Sequence, residues 1–162
     1  MSTVKHLLAT NCQQTETKTA KRNIHLSPEK VLDAPDILDD YYLNLLDWSS
    51  KGTLSIGLGT RVYLYTPASI RELTQKEDEY ICSVSSNPQA EMLAVGLSKG
   101  TVEIYDIERE TLVRTLRGHA DRVSSSAFTF GMLFTGSKDT KIISHDVRAH
   151  QSTISKYIGH RG

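Results

Sequence analysis

Cysteine is scarce. The two in 162 residues, Cys12 and Cys82, form no CxxC pair and no Cys/His spacing of zinc type, which excludes a disulfide scaffold and a small zinc module. Free thiols in a reducing compartment are expected. Long apolar runs are missing too, and the longest fall far short of the roughly 20 residues a membrane helix needs. Met1 to Ala9 carries Lys5 and His6 but no apolar segment or cleavage site, so no signal peptide is expected. Neither sign of charge is in excess, with Lys+Arg and Asp+Glu both at 19. Nothing in that balance draws nucleic acid or an anionic membrane, and neither is expected as a partner. Tryptophan occurs once, at Trp48.

What is present falls into three parts. Residues 1–22 are rich in Thr, Gln, Lys and Asn without period two or period 3.6, and read as a disordered polar tail. Residues 23–40 read as an extended lead-in, with Asn23 to Leu26 alternating like one strand and Ser27-Pro28 closing it. From residue 41 onward short strands are divided by Gly, Asn, Asp or Pro. The expected strands are Leu43–Ser49, Leu54–Gly57, Arg61–Tyr65 and Ile70–Leu73, then Tyr80–Ser85, Met92–Gly96, Thr101–Asp106 and Leu112–Leu116. A third set is Arg122–Phe128, Met132–Gly136, Lys141–His145 and Ile154–Tyr157.

The sets repeat on a ruler. Gly118-His119 recurs 41 residues later as Gly159-His160, the spacing of WD-type propeller blades. Tyr105-Asp106 and His145-Asp146 stand where the Trp-Asp dipeptide of such a blade would close its third strand. The expected fold is therefore all-β, a WD-repeat β-propeller segment of about three blades at 41–79, 80–119 and 120–160. Gly57-Leu58-Gly59 is no dinucleotide fingerprint, because position 62 is Val62 and no helix follows. Arg61 to Leu64 and Arg109 to Leu112 fit a bare RxxL spacing, a weak signal.

The strings KVLDAP, DDYYLNLLDWSS, RTLRGH, GSKDT and HDVR, within a match from Lys21 to Gly162, closely resemble the Fizzy and Fizzy-related proteins. These are WD-repeat co-activators of the anaphase-promoting complex, and their propellers close with seven blades. The resemblance implies that Asp33 lies in the receptor for a destruction-box degron, where a carboxylate suits an arginine through two parallel charge-assisted bonds. It places Asp40 and Tyr41 in the receptor for KEN-type degrons. The residues by themselves allow plainer roles: Asp33 capping the Ala34-Pro35 turn, and Asp40 and Tyr41 as a solvated carboxylate and a packing ring before a strand.

His119, Thr135, Asp139 and His145 could suggest a catalytic constellation. The repeat assigns them instead to the structural hydrogen-bonded chain of a blade, with His145 in place of tryptophan. No such chain can be drawn for the first two blades, which lack the Gly-His pair. Ser86, Tyr105 and Phe128 replace expected tryptophans, and Ser126 stands at an apolar position. The implied function is substrate recognition for the ligase, without enzymatic activity, cofactor or metal. Implied partners are the anaphase-promoting complex, degron-bearing substrates such as cyclins and securin, and spindle-checkpoint proteins, in nucleus and cytoplasm. The resemblance lacks its C-box in Met1 to Ala20 and its C-terminal Ile-Arg tail. Three readings stay open: a fragment of a co-activator, a short non-activating competitor, or a generic WD-repeat scaffold.

Overall fold

A computed structural model describes Ile24, residues 26–129 and residues 131–160. The chain divides into two compact units, Met1–Asp33 and Ala34–Gly162. The described residues of the first unit form neither helix nor strand. The expected tail at 1–22 lies outside the described residues, as do Asn23 and His25 of the expected lead-in strand. Ile24 and Leu26 are exposed and belong to no strand.

The second unit is built from twelve strands. The first sheet holds β1 (Leu46–Trp48), β2 (Leu54–Leu58), β3 (Arg61–Thr66) and β4 (Ser69–Gln75). The second holds β5 (Ile81–Ser86), β6 (Met92–Leu97), β7 (Val102–Asp106) and β8 (Thr111–Leu116). The third holds β9 (Val123–Thr129), β10 (Met132–Ser137), β11 (Lys141–Asp146) and β12 (Thr153–Ile158). Each sheet is a four-stranded antiparallel meander in chain order, and no helix occurs among the described residues. This is the all-β, three-blade arrangement of a WD-repeat propeller segment. The first strand is shorter than the sequence suggests. Asn44 bridges in parallel to Ser83 instead: its N–H donates to the Cys82 carbonyl at 3.0 Å and its carbonyl accepts from Val84 N–H at 2.9 Å.

No blade has an apolar core of its own. One cluster joins Leu45, Val62, Leu64 and Leu73 of the first blade to Ile81, Val84, Leu93, Val95 and Leu97 of the second. The other joins Ala94, Val102, Ile104 and Leu116 of the second blade to Val123, Leu133 and Val147 of the third, with Phe128 packed against it. Alternation along β6 explains the split: Leu93 and Val95 face one neighbour while Ala94 faces the other. The middle blade is thus apolar on both faces, whereas β4, β8 and β12 are largely exposed.

A glycine column sets how closely the blades approach. Gly57, Gly96 and Gly136 lie on β2, β6 and β10, opposite Leu45, Ser83 and Ser125. A Cβ on Gly57 would come within 2.8 Å of the Ile81 Cγ2, and one on Gly96 would strike the Val123 backbone carbonyl. The first strand of each following blade therefore rests on the glycine of the blade before it. Ser83 reinforces the second contact by donating its hydroxyl to the Val123 carbonyl at 2.9 Å. At Gly136 a Cβ would meet only the Ser125 hydroxyl, at 2.5 Å.

The two glycines should respond differently to alanine. Gly96→Ala must push back a neighbouring backbone and should cost about 3 kcal/mol, while Gly136→Ala displaces one rotatable hydroxyl and should cost under about 1 kcal/mol. Urea denaturation of both variants measures the difference. Equal losses would contradict the seating described here.

Candidate functional site

The segment before β1 is folded back by its own aspartate. Asp40 accepts the Tyr42 N–H on Oδ1 at 2.9 Å, and the Leu43 N–H donates to the Asp40 carbonyl at 3.0 Å. That is the local turn chemistry Asp favours. The other carboxylate oxygen, Oδ2, takes Arg122 Nη1 at 2.6 Å. Arg122 immediately precedes β9, so this ion pair ties the segment leading into the first blade to the start of the third. The guanidinium also lies 5.7 Å from the centre of the Tyr42 ring, a cation–π contact.

These contacts decide the electrostatics. The Tyr42 N–H first, and then Arg122, hold the Asp40 carboxyl below its ordinary range, while Asp40 makes Arg122 harder still to deprotonate. Asp40 is therefore an anchored carboxylate. Tyr41 is the free element of the pair: it is 95% exposed and meets Tyr42 edge-on at 5.7 Å between ring centres. Asp33 is exposed and belongs to the first unit.

A cavity of about 660 Å³ opens beside Tyr42 and Arg122 and runs onto the outward face of the third blade, past Ser125, Gly136, Lys138, Lys141 and Ile142. Among the described residues no group of three His, Cys, Asp or Glu side chains could hold a metal ion.

His119, Thr135, Asp139 and His145 converge inside the third blade. His119 Nδ1 lies 3.1 Å from Asp139 Oδ1 and its Nε2 lies 2.9 Å from the Thr135 hydroxyl. That hydroxyl in turn lies 3.3 Å from His145 Nε2. His119 donates from Nδ1 to Asp139, and the Thr135 hydroxyl, which also donates to the Ile143 carbonyl at 3.3 Å, sits between the Nε2 atoms of the two imidazoles. Asp139 also accepts backbone N–H groups from Ala120 at 2.9 Å and Lys141 at 3.0 Å. Burial pushes its carboxyl up, but those two N–H groups and the imidazole outweigh burial and hold it down. Thr135 has no exposed surface and His145 only 1%, so the cluster is closed to solvent. The arrangement fastens the Gly118-His119 loop to the turn between β10 and β11.

The second blade carries a different polar cluster at the position matching His145. The Tyr105 hydroxyl donates to Glu103 at 2.6 Å, lies 3.0 Å from Thr74 and accepts from Lys76 at 3.0 Å, and Lys76 pairs with Glu103 at 2.5 Å. Ser86, which stands where a tryptophan is expected, receives Asp47 from the first blade through its N–H at 2.8 Å and through its hydroxyl. The Ser126 hydroxyl, by contrast, is buried without a partner. Cys82 is a buried free thiol, and burial pushes it up to about 12. Sequence reasoning missed Arg122 and Tyr42. Arg122 sits 82 residues from its partner, and nothing local marks it as more than a strand's lead residue.

Known proteins resemble this chain closely. The anaphase-promoting complex subunit 4 WD40 domain family matches residues 58–132. A Dictyostelium discoideum protein named anaphase-promoting complex subunit cdc20 is 46% identical over 86% of this chain and 29% of its own length. Protein FIZZY-RELATED 1 of Arabidopsis thaliana is 42% identical, over 86% of this chain and 30% of its own. A chain in the crystal structure of a mitotic checkpoint complex superposes with a TM-score of 0.82 at 39% identity, covering 88% of this chain and 45% of that one. The chain thus spans about 30% of the length of the curated relatives it matches. A further WD-repeat structure, U3-55K, shares the fold at a TM-score of 0.65 and 17% identity, over 74% of this chain and 40% of that one.

His145 gives this blade a pH dependence that tryptophan would not. Burial first, then the charges of His119 and Lys156, lower its pKa from 6.5 to about 4. Between those values the unfolded chain binds a proton that the folded chain refuses, so stability should fall as pH drops through that window. A gap of this size corresponds to about 3 kcal/mol. His145→Trp keeps an N–H for Thr135 and should flatten this part of the profile, measured by denaturation between neutral and mildly acidic pH. An unchanged slope would show that His145 does not stay neutral in the fold.

Proposed function

We propose that this chain, a WD-repeat propeller segment similar to the Fizzy and Fizzy-related co-activators, is a substrate-recognition element for the anaphase-promoting complex in cell-cycle control. The observation that carries the reading is a match of 40% identity or more, over 86–87% of the chain, to the anaphase-promoting complex subunit cdc20 of Dictyostelium discoideum, Protein FIZZY-RELATED 1 of Arabidopsis thaliana and the WD repeat-containing protein slp1 of Schizosaccharomyces pombe. It includes the strings that hold Asp33, Asp40 and Tyr41. In this reading the chain is a binding module, and the His119, Thr135, Asp139 and His145 cluster is a structural feature buried inside the third blade.

In this reading Asp33, an exposed carboxylate, receives the arginine of a destruction-box peptide through paired charge-assisted hydrogen bonds. Asp40 has a structural part: spent on Arg122 and the Tyr42 N–H, it shapes the turn that presents Tyr41. The Tyr41 ring offers a broad rigid face to a KEN-type peptide. Partners are the ligase, degron-bearing substrates such as cyclins and securin, and checkpoint proteins, encountered in the nucleus and cytoplasm.

Peptide titration tests this. A fluorescent destruction-box peptide should bind the chain, and Asp33→Arg should weaken it by about tenfold or more, a change of at least about 1.4 kcal/mol. Tyr41→Ala should weaken a KEN peptide while leaving the destruction-box peptide unaffected. Equal affinities for wild type and Asp33→Arg would remove the receptor assignment.

A further inference from the structure

Two of the four prolines follow a hydroxyl side chain, as Ser27-Pro28 and Thr66-Pro67. The fold puts these two dipeptides in opposite circumstances. Thr66 ends β3 and is paired with Ser69 across the β3–β4 turn. It is half-buried, and its hydroxyl accepts the Ser69 N–H at 3.2 Å, so ladder and turn hold the residue on both sides of the proline. Ser27 lies ahead of the sheets. Every residue of 26–31 is exposed and none belongs to a strand. Pro28 has no N–H to give a ladder, and its ring disfavours a helical conformation for the residue before it, so Ser27 favours an extended one. Lys30 is exposed three residues beyond the hydroxyl, about 10 Å along an extended chain.

We infer that Ser27 is a phosphorylation site, modified by a proline-directed protein kinase that also reads a basic side chain three residues after the hydroxyl. The cleft of such an enzyme takes its peptide extended. Its pocket after the reacting hydroxyl suits a residue with no N–H to satisfy, and an anionic group facing the third position pairs with the lysine. In the step, Ser27 Oγ attacks the γ-phosphorus of a nucleoside triphosphate, the P–O bond to the departing nucleoside diphosphate breaks, and the hydroxyl proton passes to the catalytic aspartate of the kinase. The product adds about two negative charges to a chain whose formal net charge is zero. Thr66 supplies the contrast. Its third following residue is Ser69, not a base, and seating it in a cleft would unzip the end of the β3–β4 ladder. No other Ser or Thr in the sequence precedes a proline. This inference goes beyond degron recognition and does not depend on it.

Incubation of the 162-residue chain with magnesium-ATP and a purified cyclin-dependent kinase, read by intact mass and peptide fragmentation, tests it. One phosphoryl group should be added, on Ser27, and Ser27→Ala should take up none. Lys30→Ala should lower kcat/KM by about tenfold or more, through loss of one charge-assisted contact. A mitogen-activated kinase, proline-directed but indifferent to the third position, should modify Lys30→Ala as fast as the wild type, showing that the variant still presents Ser27. Phosphate on Thr66, incorporation that persists in Ser27→Ala, or a wild type left unmodified by the cyclin-dependent kinase would overturn the inference. So would a Lys30→Ala protein that this kinase modifies at the wild-type rate. A loss shared by both kinases would also count against it, because the lysine would then be shaping the segment rather than meeting the enzyme.

Discussion

Everything in this molecule depends on how closely one sheet can lie on the next. At Gly57 and Gly96 the backbone is bare, and the first strand of the following blade comes to rest where a side chain would otherwise stand. That approach brings Ile81 and Val123, both without exposed surface, into the clusters between blades. Since each cluster draws from two sheets, the hydrophobic contribution of about 25 cal/mol per Å² of buried apolar area arises between blades rather than within them. A blade taken alone would expose one or both apolar faces, as nearest-neighbour repeat architectures generally do.

The same stacking creates the candidate site. Because successive blades fan from their inner strands, the segment before β1 comes within reach of the residue before β9. Arg122 and Asp40 close that gap at 2.6 Å. Their ion pair is only partly buried, and in such surroundings its worth lies less in stability than in geometry. It fixes a turn, stacks Tyr42 and leaves Tyr41 projecting. The Asp40 carboxylate, which the resemblance nominates as a ligand contact, is engaged by Arg122 and the Tyr42 N–H, and the ring beside it is left exposed.

Much of the architecture was legible because strand propensity, turn residues and the Gly-His ruler agreed. Strands of period two bounded by Gly52, Gly59 and Gly100 fall where the structure has them, and the convergence of His119, Thr135, Asp139 and His145 follows from their fixed places in one repeat. What stayed hidden is long-range or depends on register. The Asp40–Arg122 pair joins residues that no periodicity relates. Asp47 reaching Ser86, and Lys76 reaching Glu103 and Tyr105, are contacts between blades set by sheet packing. The role of Gly57 and Gly96 shows only when the next blade is in place, since a glycine within a strand otherwise suggests a bulge or a weak point. Leu43 to Leu45 has strand composition, yet Asn44 pairs with the neighbouring blade's strand rather than within its own sheet.

The claim that no blade has a core of its own is tested most directly by native-state hydrogen exchange under increasing denaturant. The amides of β5 and β6, which belong to the blade packed on both sides, should be the last to exchange. Those of β2 and β3, and of β10 and β11, should lose protection no later than the middle blade opens. If the β2–β3 or β10–β11 amides remain protected after those of β5 and β6 have exchanged, an outer blade holds itself together, and the account of stability as a property of the contacts between blades is wrong.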